Sequence, residues 1–178
     1  DLSGQTALIC GATRGIGRAI SLEMVKSGAR VIVLARSQER LEQLQRDLTL
    51  ITYGHLGDWE SLSEDQKSFH RSIVADLGQI NTWPQLIGHL LLELGPISIL
   101  VANSGGPKGG PLLEAQSQEF LVAFQQHLIA PQILVQLLAP SMIKKGFGRI
   151  INIISTSVRI PINNLGVSNT IRGAVASW

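Results

Sequence analysis

Residues 6–20 read "TALICGATRGIGRAI". A short apolar run leads directly into Gly11, Gly15 and Gly17, spaced G-x-x-x-G-x-G, and then into a helical pattern. A strand that turns sharply into a helix needs residues without a Cβ. One glycine makes the turn, one lets a pyrophosphate approach the backbone, and one lets the helix pack on the strand. The unspent N–H groups of the first helical turn then face the phosphates. The stretch predicts a dinucleotide-binding βα unit, with Gly11, Thr13, Arg14, Gly15, Ile16 and Gly17 as its cofactor contacts.

The rest of the chain repeats that rhythm. Apolar runs at 6–10, 30–35, 72–76, 97–102 and 149–154 are rich in Ile, Val and Leu and lack polar alternation, as strands buried on both faces do. Amphipathic stretches near 15–27, 37–49, 82–94 and 117–145 separate them. Strict alternation predicts a Rossmann-type, doubly wound parallel sheet in three α/β/α layers, with residues 1–178 forming one domain. Residues 50–71 break the rhythm and are expected to form an added polar surface segment.

The end of the second strand decides between the two nicotinamide cofactors. An acidic residue there holds the ribose 2′-hydroxyl of NAD. This sequence has Ala35 and Arg36, with Arg14 in the glycine loop. Two planar guanidinium forks favour a 2′-phosphate, so the expected cofactor is NADP(H).

Composition narrows the remaining classes. The 178 residues carry a formal charge of +2 with no basic cluster, which argues against nucleic acid as a partner. Cys10 is the single cysteine, so no internal disulfide or cysteine metal cluster is expected, and a reducing cytoplasm fits. No metal site and no membrane span are expected. The first residue is Asp1 and the last stretch, "RGAVASW", stops inside a helical pattern, so a missing C-terminal part is expected.

Four motifs stand in one order: the glycine loop, Asp76 after the third strand, "ANSGG" (102–106) after the fourth, and "GRIINIIS" (148–155) on the fifth. Together they resemble the short-chain dehydrogenase/reductase family, most of all its 3-oxoacyl-acyl-carrier-protein reductases. The resemblance implies that Asp76 and Leu77 flank the adenine, and that Asn103, Ser104 and Gly105 line the cofactor cleft. It implies that Ser155 hydrogen-bonds a substrate carbonyl. It also implies pairing of the long helices into a homodimer or homotetramer. The apolar face around Leu128, Ile129, Ile133, Leu134, Leu137 and Leu138 either serves that pairing or faces the sheet.

The family's Tyr-x-x-x-Lys pair is replaced. Counting from Ser155 places Ser168 at the tyrosine position and Arg172 at the lysine position, within "GVSNTIRG" (166–173). The only tyrosine, Tyr53, lies far away in the polar segment. His127 stands where an asparagine usually completes a proton relay. Arg172 retains a charge able to hold ribose hydroxyls or phosphate but cannot act as an acid near neutrality. Ser168 is a weak general acid, whereas a histidine of ordinary pKa ~6.5 can supply a proton. A relay from His127 through water and Ser168 to the carbonyl is one expectation. Residues 166–169 are otherwise a polar turn whose Ser or Asn caps the following helix.

The resulting expectation is an NADP(H)-dependent oxidoreductase that reduces a small carbonyl compound, a ketone or 3-oxoacyl group, to the alcohol. A cofactor-binding protein without turnover, acting as a sensor or assembly partner, is the alternative. Use of the same cleft for another nucleotide or a non-redox reaction is the third reading.

Overall fold

The computed structural model describes residues 1–54 and 58–178. Five strands, β1 (Thr6–Cys10), β2 (Arg30–Ala35), β3 (Arg71–Val74), β4 (Ile99–Ala102) and β5 (Arg149–Asn152), form one sheet in the order β3-β2-β1-β4-β5. Every pairing is parallel. β1 and β2 keep the bounds of their apolar runs, whereas β3, β4 and β5 are shorter than theirs. The helices are α1 (Gly15–Lys26), α2 (Gln38–Tyr53), α3 (Glu64–Lys67), α4 (Trp83–Leu94), α5 (Ser117–Phe124), α6 (Ala130–Lys145) and α7 (Gly166–Ser177).

Alternation of side chains along the strands builds two cores. Ala7, Ile9, Val31 and Val33 pack with Val25 of α1 and with Leu41, Leu44 and Leu48 of α2. Leu8, Cys10, Ile32 and Leu34 face the other way, onto Trp83 and Ile87 of α4 and Leu134 and Leu138 of α6. Both faces are therefore covered at the centre of the sheet, which is why these strands read as unbroken apolar runs.

The structure refines three sequence expectations. First, α2 continues through Tyr53, so the polar segment starts later than residue 50. Its residues 55–57 lie outside the described part. Between there and β3 the chain is not purely surface, because Leu62 and His70 are buried. β3 starts opposite Ile32, at Arg71. One residue earlier, the His70 ring takes the place of a strand carbonyl: its Nδ1 accepts from Val31 N–H at 2.9 Å. Its Nε2 meets Thr52 Oγ1 at 2.7 Å, and that hydroxyl is spent as a donor to Leu48 O. His70 is therefore neutral with its proton on Nε2.

Second, the face of α6 left open between two roles turns inward. Leu134 and Leu138 are buried against the sheet, with Ile133 and Leu137 packed beside them. Leu128 packs instead with Val167, Ile171 and Val175 of α7. Third, the stretch Ser117–Lys145 is a continuous helix, long and apolar enough to cross a membrane by length and composition. Leu134, Leu138 and Met142 are committed to the core.

Candidate active site

The glycine loop joins β1 to α1. Gly11 and Gly15 have φ of +58° and +52°, a region costly to residues with a Cβ. Gly17 is a packing residue: a Cβ there would lie 2.2 Å from Gly11 O. Gly17 is buried, as expected of the glycine that lets the helix pack on the strand. Asn103 braces the loop, its Nδ2 donating to Cys10 O and Gly11 O at 3.3 and 3.2 Å. No side chain caps α1 and no acid stands in its first turn. Its leading N–H groups therefore remain available to an anion.

Above the loop lies a cleft of about 760 Å³. Gly11, Thr13, Arg14, Gly15, Ile16, Arg36, Asp76, Leu77, Asn103, Ser104 and Gly105 all line it, so residues from four separate strand ends form a single wall. Ser37 and Arg40, which sequence reasoning missed, line it as well. Arg40 lies in the first turn of α2, and Arg36 immediately precedes the N-cap Ser37. Ser37 is the N-cap of α2, yet its hydroxyl makes no capping bond. Asp76 points one oxygen at Gly78 N–H, 2.8 Å away. The other approaches Arg36 at 4.0 Å, an exposed and weak pairing.

The four residues expected to carry chemistry divide into two pairs. His127 and Arg172 share a small cavity with Asn103, Ser104 and Asn152, directly beside the cleft. His127 reaches it through a π-helical turn, Gln125–Ile129. The cause is legible in the chain: Pro131 has no N–H to bond the carbonyl four residues back, that of His127. Arg172 is buried, with Nη1 donating to Ile153 O at 2.9 Å. Ser155 Oγ accepts from Ser157 N–H at 3.1 Å, which leaves its proton free to donate outward. Ser168 is half-buried in the first turn of α7, and α7 packs on the 3-10 turn that comes after Ser155.

Two expectations about this end of the site are corrected. α7 starts at Gly166 with Leu165 as N-cap and no side-chain cap, so neither Ser168 nor Asn169 caps it. Asn169 instead clamps the preceding loop, its amide donating to Ile162 O at 2.8 Å. His127, in turn, is no proton source near neutrality. Burial, followed by the charge of Arg172, pushes its pKa down to about 4. Its Nδ1 lies 2.7 Å from Ser104 Oγ. Among the described residues no cluster of His, Cys, Asp and Glu could hold a metal.

Residues 5–177 match the family model described as short chain dehydrogenase. The chain belongs to the short-chain dehydrogenase family. A 3-oxoacyl-acyl-carrier-protein reductase of Haemophilus influenzae is 32% identical over 152 residues, covering 85% of this chain and 55% of that protein. L-xylulose reductase of Cavia porcellus is 27% identical over 177 residues, or 98% of this chain and 62% of its own. A metagenomic short-chain oxidoreductase solved in complex with NADP superposes with a TM-score of 0.82 at 29% identity, covering 99% of this chain and 73% of that one. This short-chain dehydrogenase chain spans about half the length of the curated relatives it matches.

Proposed function

We propose that the chain is the cofactor-binding part of an NADP(H)-dependent reductase that converts a ketone or 3-oxoacyl carbonyl to the alcohol. The observation that carries the reading is the cleft itself. A glycine loop with Arg14 and an uncapped α1 line it, and Arg36 and Arg40 stand at its α2 side, with Ala35 where an acid would favour NAD. The cradle fits a dinucleotide: a Cβ at Gly11 would collide with the bracing Asn103, 2.8 Å away, and the space around Gly15, on the cleft side, is open to a pyrophosphate. The metagenomic relative's NADP complex supports the same cofactor.

A bound nicotinamide would supply the hydride. The chain's own residues then bind and orient. Loop and α1 amides take the pyrophosphate, Asp76 and Leu77 flank the adenine, and the arginine cluster with Ser37 takes the 2′-phosphate. Ser155 would donate a hydrogen bond to the substrate carbonyl, and the proton that completes the alcohol would come from solvent. Arg172 holds the ribose beside Asn103 and Ser104, and Ser168 is the hydrogen-bond donor left at the reacting oxygen. A cytoplasmic homodimer or homotetramer completes the reading.

The second reading, cofactor binding without turnover, draws on one observation. His127 is neutral near pH 7, and an alcohol at Ser168 is a poor acid, so among the described residues no group of matched pKa faces the carbonyl. NADPH fluorescence with and without a panel of ketones and 3-oxoacyl thioesters separates the two. Oxidation of NADPH supports the reductase; binding without oxidation supports the sensor.

From the arginine cluster, NADPH is expected to bind at least about tenfold more tightly than NADH, a gap of about 1.4 kcal/mol. Arg36→Ala should narrow that gap, and equal affinities in the unsubstituted protein would sink the cofactor assignment. Arg172→Ala is expected to weaken NADPH about ten- to hundredfold, the worth of one charged hydrogen bond. Ser168→Ala should leave binding unchanged, because its place is at the carbonyl. A folded Arg172→Ala protein with normal affinity would remove Arg172 from the site.

A further inference from the structure

Two glutamines follow one another in the π turn, and both reach the same glycine. Gln125 spends its amide on the backbone: Nε2 donates to Gly78 O, just beyond Asp76 and Leu77. Gln126 is unspent, because among the described residues its carboxamide has no hydrogen-bond partner. It is half-buried and lines the cleft in company with Asp76, Leu77 and Ser104. A Cβ on Gly78 would lie 3.3 Å from Asp76 Oδ1 and 3.8 Å from Gln126 Nε2. The carboxylate and the carboxamide therefore converge over a residue with no side chain to separate them.

What this pair can hold follows from its donors and acceptors. An ionised carboxylate only accepts, and one Asp76 oxygen is already held by Gly78 N–H. A carboxamide brings one acceptor oxygen and two N–H donors. A phosphate placed between them would meet the like charge of Asp76. A sugar hydroxyl carries a single proton and so leaves one of the two acceptors unmet. An aminopurine carries an amino group beside a ring nitrogen that only accepts. One amino proton can go to Asp76, the other to Gln126 Oε1, and Gln126 Nε2 can donate to the ring nitrogen. Glutamine makes this paired contact with adenine in the grooves of DNA. Half-burial of the carboxamide takes it partly out of water, where such bonds are stronger.

We propose that Gln126 is a base-reading residue of the cleft, which with Asp76 recognises the amino group and a neighbouring ring nitrogen of adenine. The proposal rests on the reading of the cleft as an NADP(H) site with Asp76 and Leu77 at the adenine. It adds a side chain of the π turn to that end of the site. It also makes the base, alongside the 2′-phosphate, a determinant of affinity.

Isothermal titration with 2′,5′-ADP, which carries the adenosine half of the cofactor and no nicotinamide, tests the residue. Gln126→Met keeps the length of the side chain and removes its hydrogen-bonding groups. It should weaken 2′,5′-ADP and NADPH alike by about three- to tenfold, the net worth of a hydrogen bond. Unchanged affinity in the folded variant would reduce Gln126 to packing and overturn the proposal. Nuclear magnetic resonance of the unsubstituted protein needs no variant and separates base from sugar. The side-chain amide signal of Gln126 should shift as 2′,5′-ADP is added and show an Overhauser contact to a proton of the purine ring. Contacts to ribose protons alone, or an unmoved signal at saturation, would overturn base reading. If the protein binds neither 2′,5′-ADP nor NADPH, the cofactor reading falls together with the proposal. If it binds both and the Gln126 signal stays in place, only the proposal falls.

Discussion

Gly15→Val is expected to abolish NADPH binding in a protein that still folds, whereas Gly17→Val should cost the fold itself. The two glycines are two residues apart and differ in what surrounds them. Around Gly15 the space is open, but its φ is +52°, and it lines the cleft. A branched side chain there suffers local strain of roughly 1–2 kcal/mol and projects into the path of the pyrophosphate. A Cβ at Gly17 meets Gly11 O at 2.2 Å and Gly11 C at 2.9 Å. Those are backbone atoms, so the loop must move off β1 or α1 must move off the sheet. Overpacking of this kind costs roughly 1–3 kcal/mol or more. Thermal unfolding followed by circular dichroism, alongside NADPH titration, separates the effects. Full affinity in folded Gly15→Val would remove the loop from the site. An unchanged melting temperature in Gly17→Val would refute the packing role.

Acid should destabilise the protein well before its carboxylates are exhausted. Burial is the main cause that pushes the His70 and His127 pKa values down to about 4. In the unfolded chain both return to ~6.5. A folded pKa below the unfolded one means that the native state rejects a proton the unfolded state accepts. The stability contribution is therefore complete above pH ~6.5 and is lost as pH falls towards about 4. Each histidine contributes up to about 1.4 kcal/mol per pH unit across that window. His70 has the more rigid setting, because protonating Nδ1 aims an N–H at the N–H of Val31. Denaturant midpoints measured from about pH 7.5 to 4.5 should fall steeply below about 6.5. His70→Gln should be less stable near neutrality but show a shallower fall. A flat profile across the acid half of that range would show that neither histidine is held neutral by the fold.

Much of the site was readable because its chemistry is local in sequence. The glycine loop, the Ala35–Arg36 pair and the "ANSGG" run each act through a few adjacent residues at a strand end, and parallel order brings those ends together. Arg40 was legible in principle as a second arginine close behind Arg36, at the start of the same helix. Asn152 was not, since a polar residue in an apolar strand carries no mark of what it faces. The polar segment was misread for a related reason. His70 is one residue in a hydrophilic stretch, and only the register of β3 against β2 reveals it as a substitute for a strand carbonyl.

By itself, then, the sequence determined the alternating βα order, the bare backbone at the phosphate loop, and the serine and arginine spaced four apart in "GVSNTIRG". These depend on residue type and spacing along the chain, which folding does not alter. Tertiary structure alone decided that the α6 face turns to the sheet. It alone decided that His127 is neutral and that Arg172 shares a cavity with it. The physical reason is the same in each case. Burial, close backbone approach and the pKa of a side chain depend on atoms contributed by other elements. His127 and Arg172, 45 positions apart by number, meet only because a π turn and α7 close on the same end of the sheet.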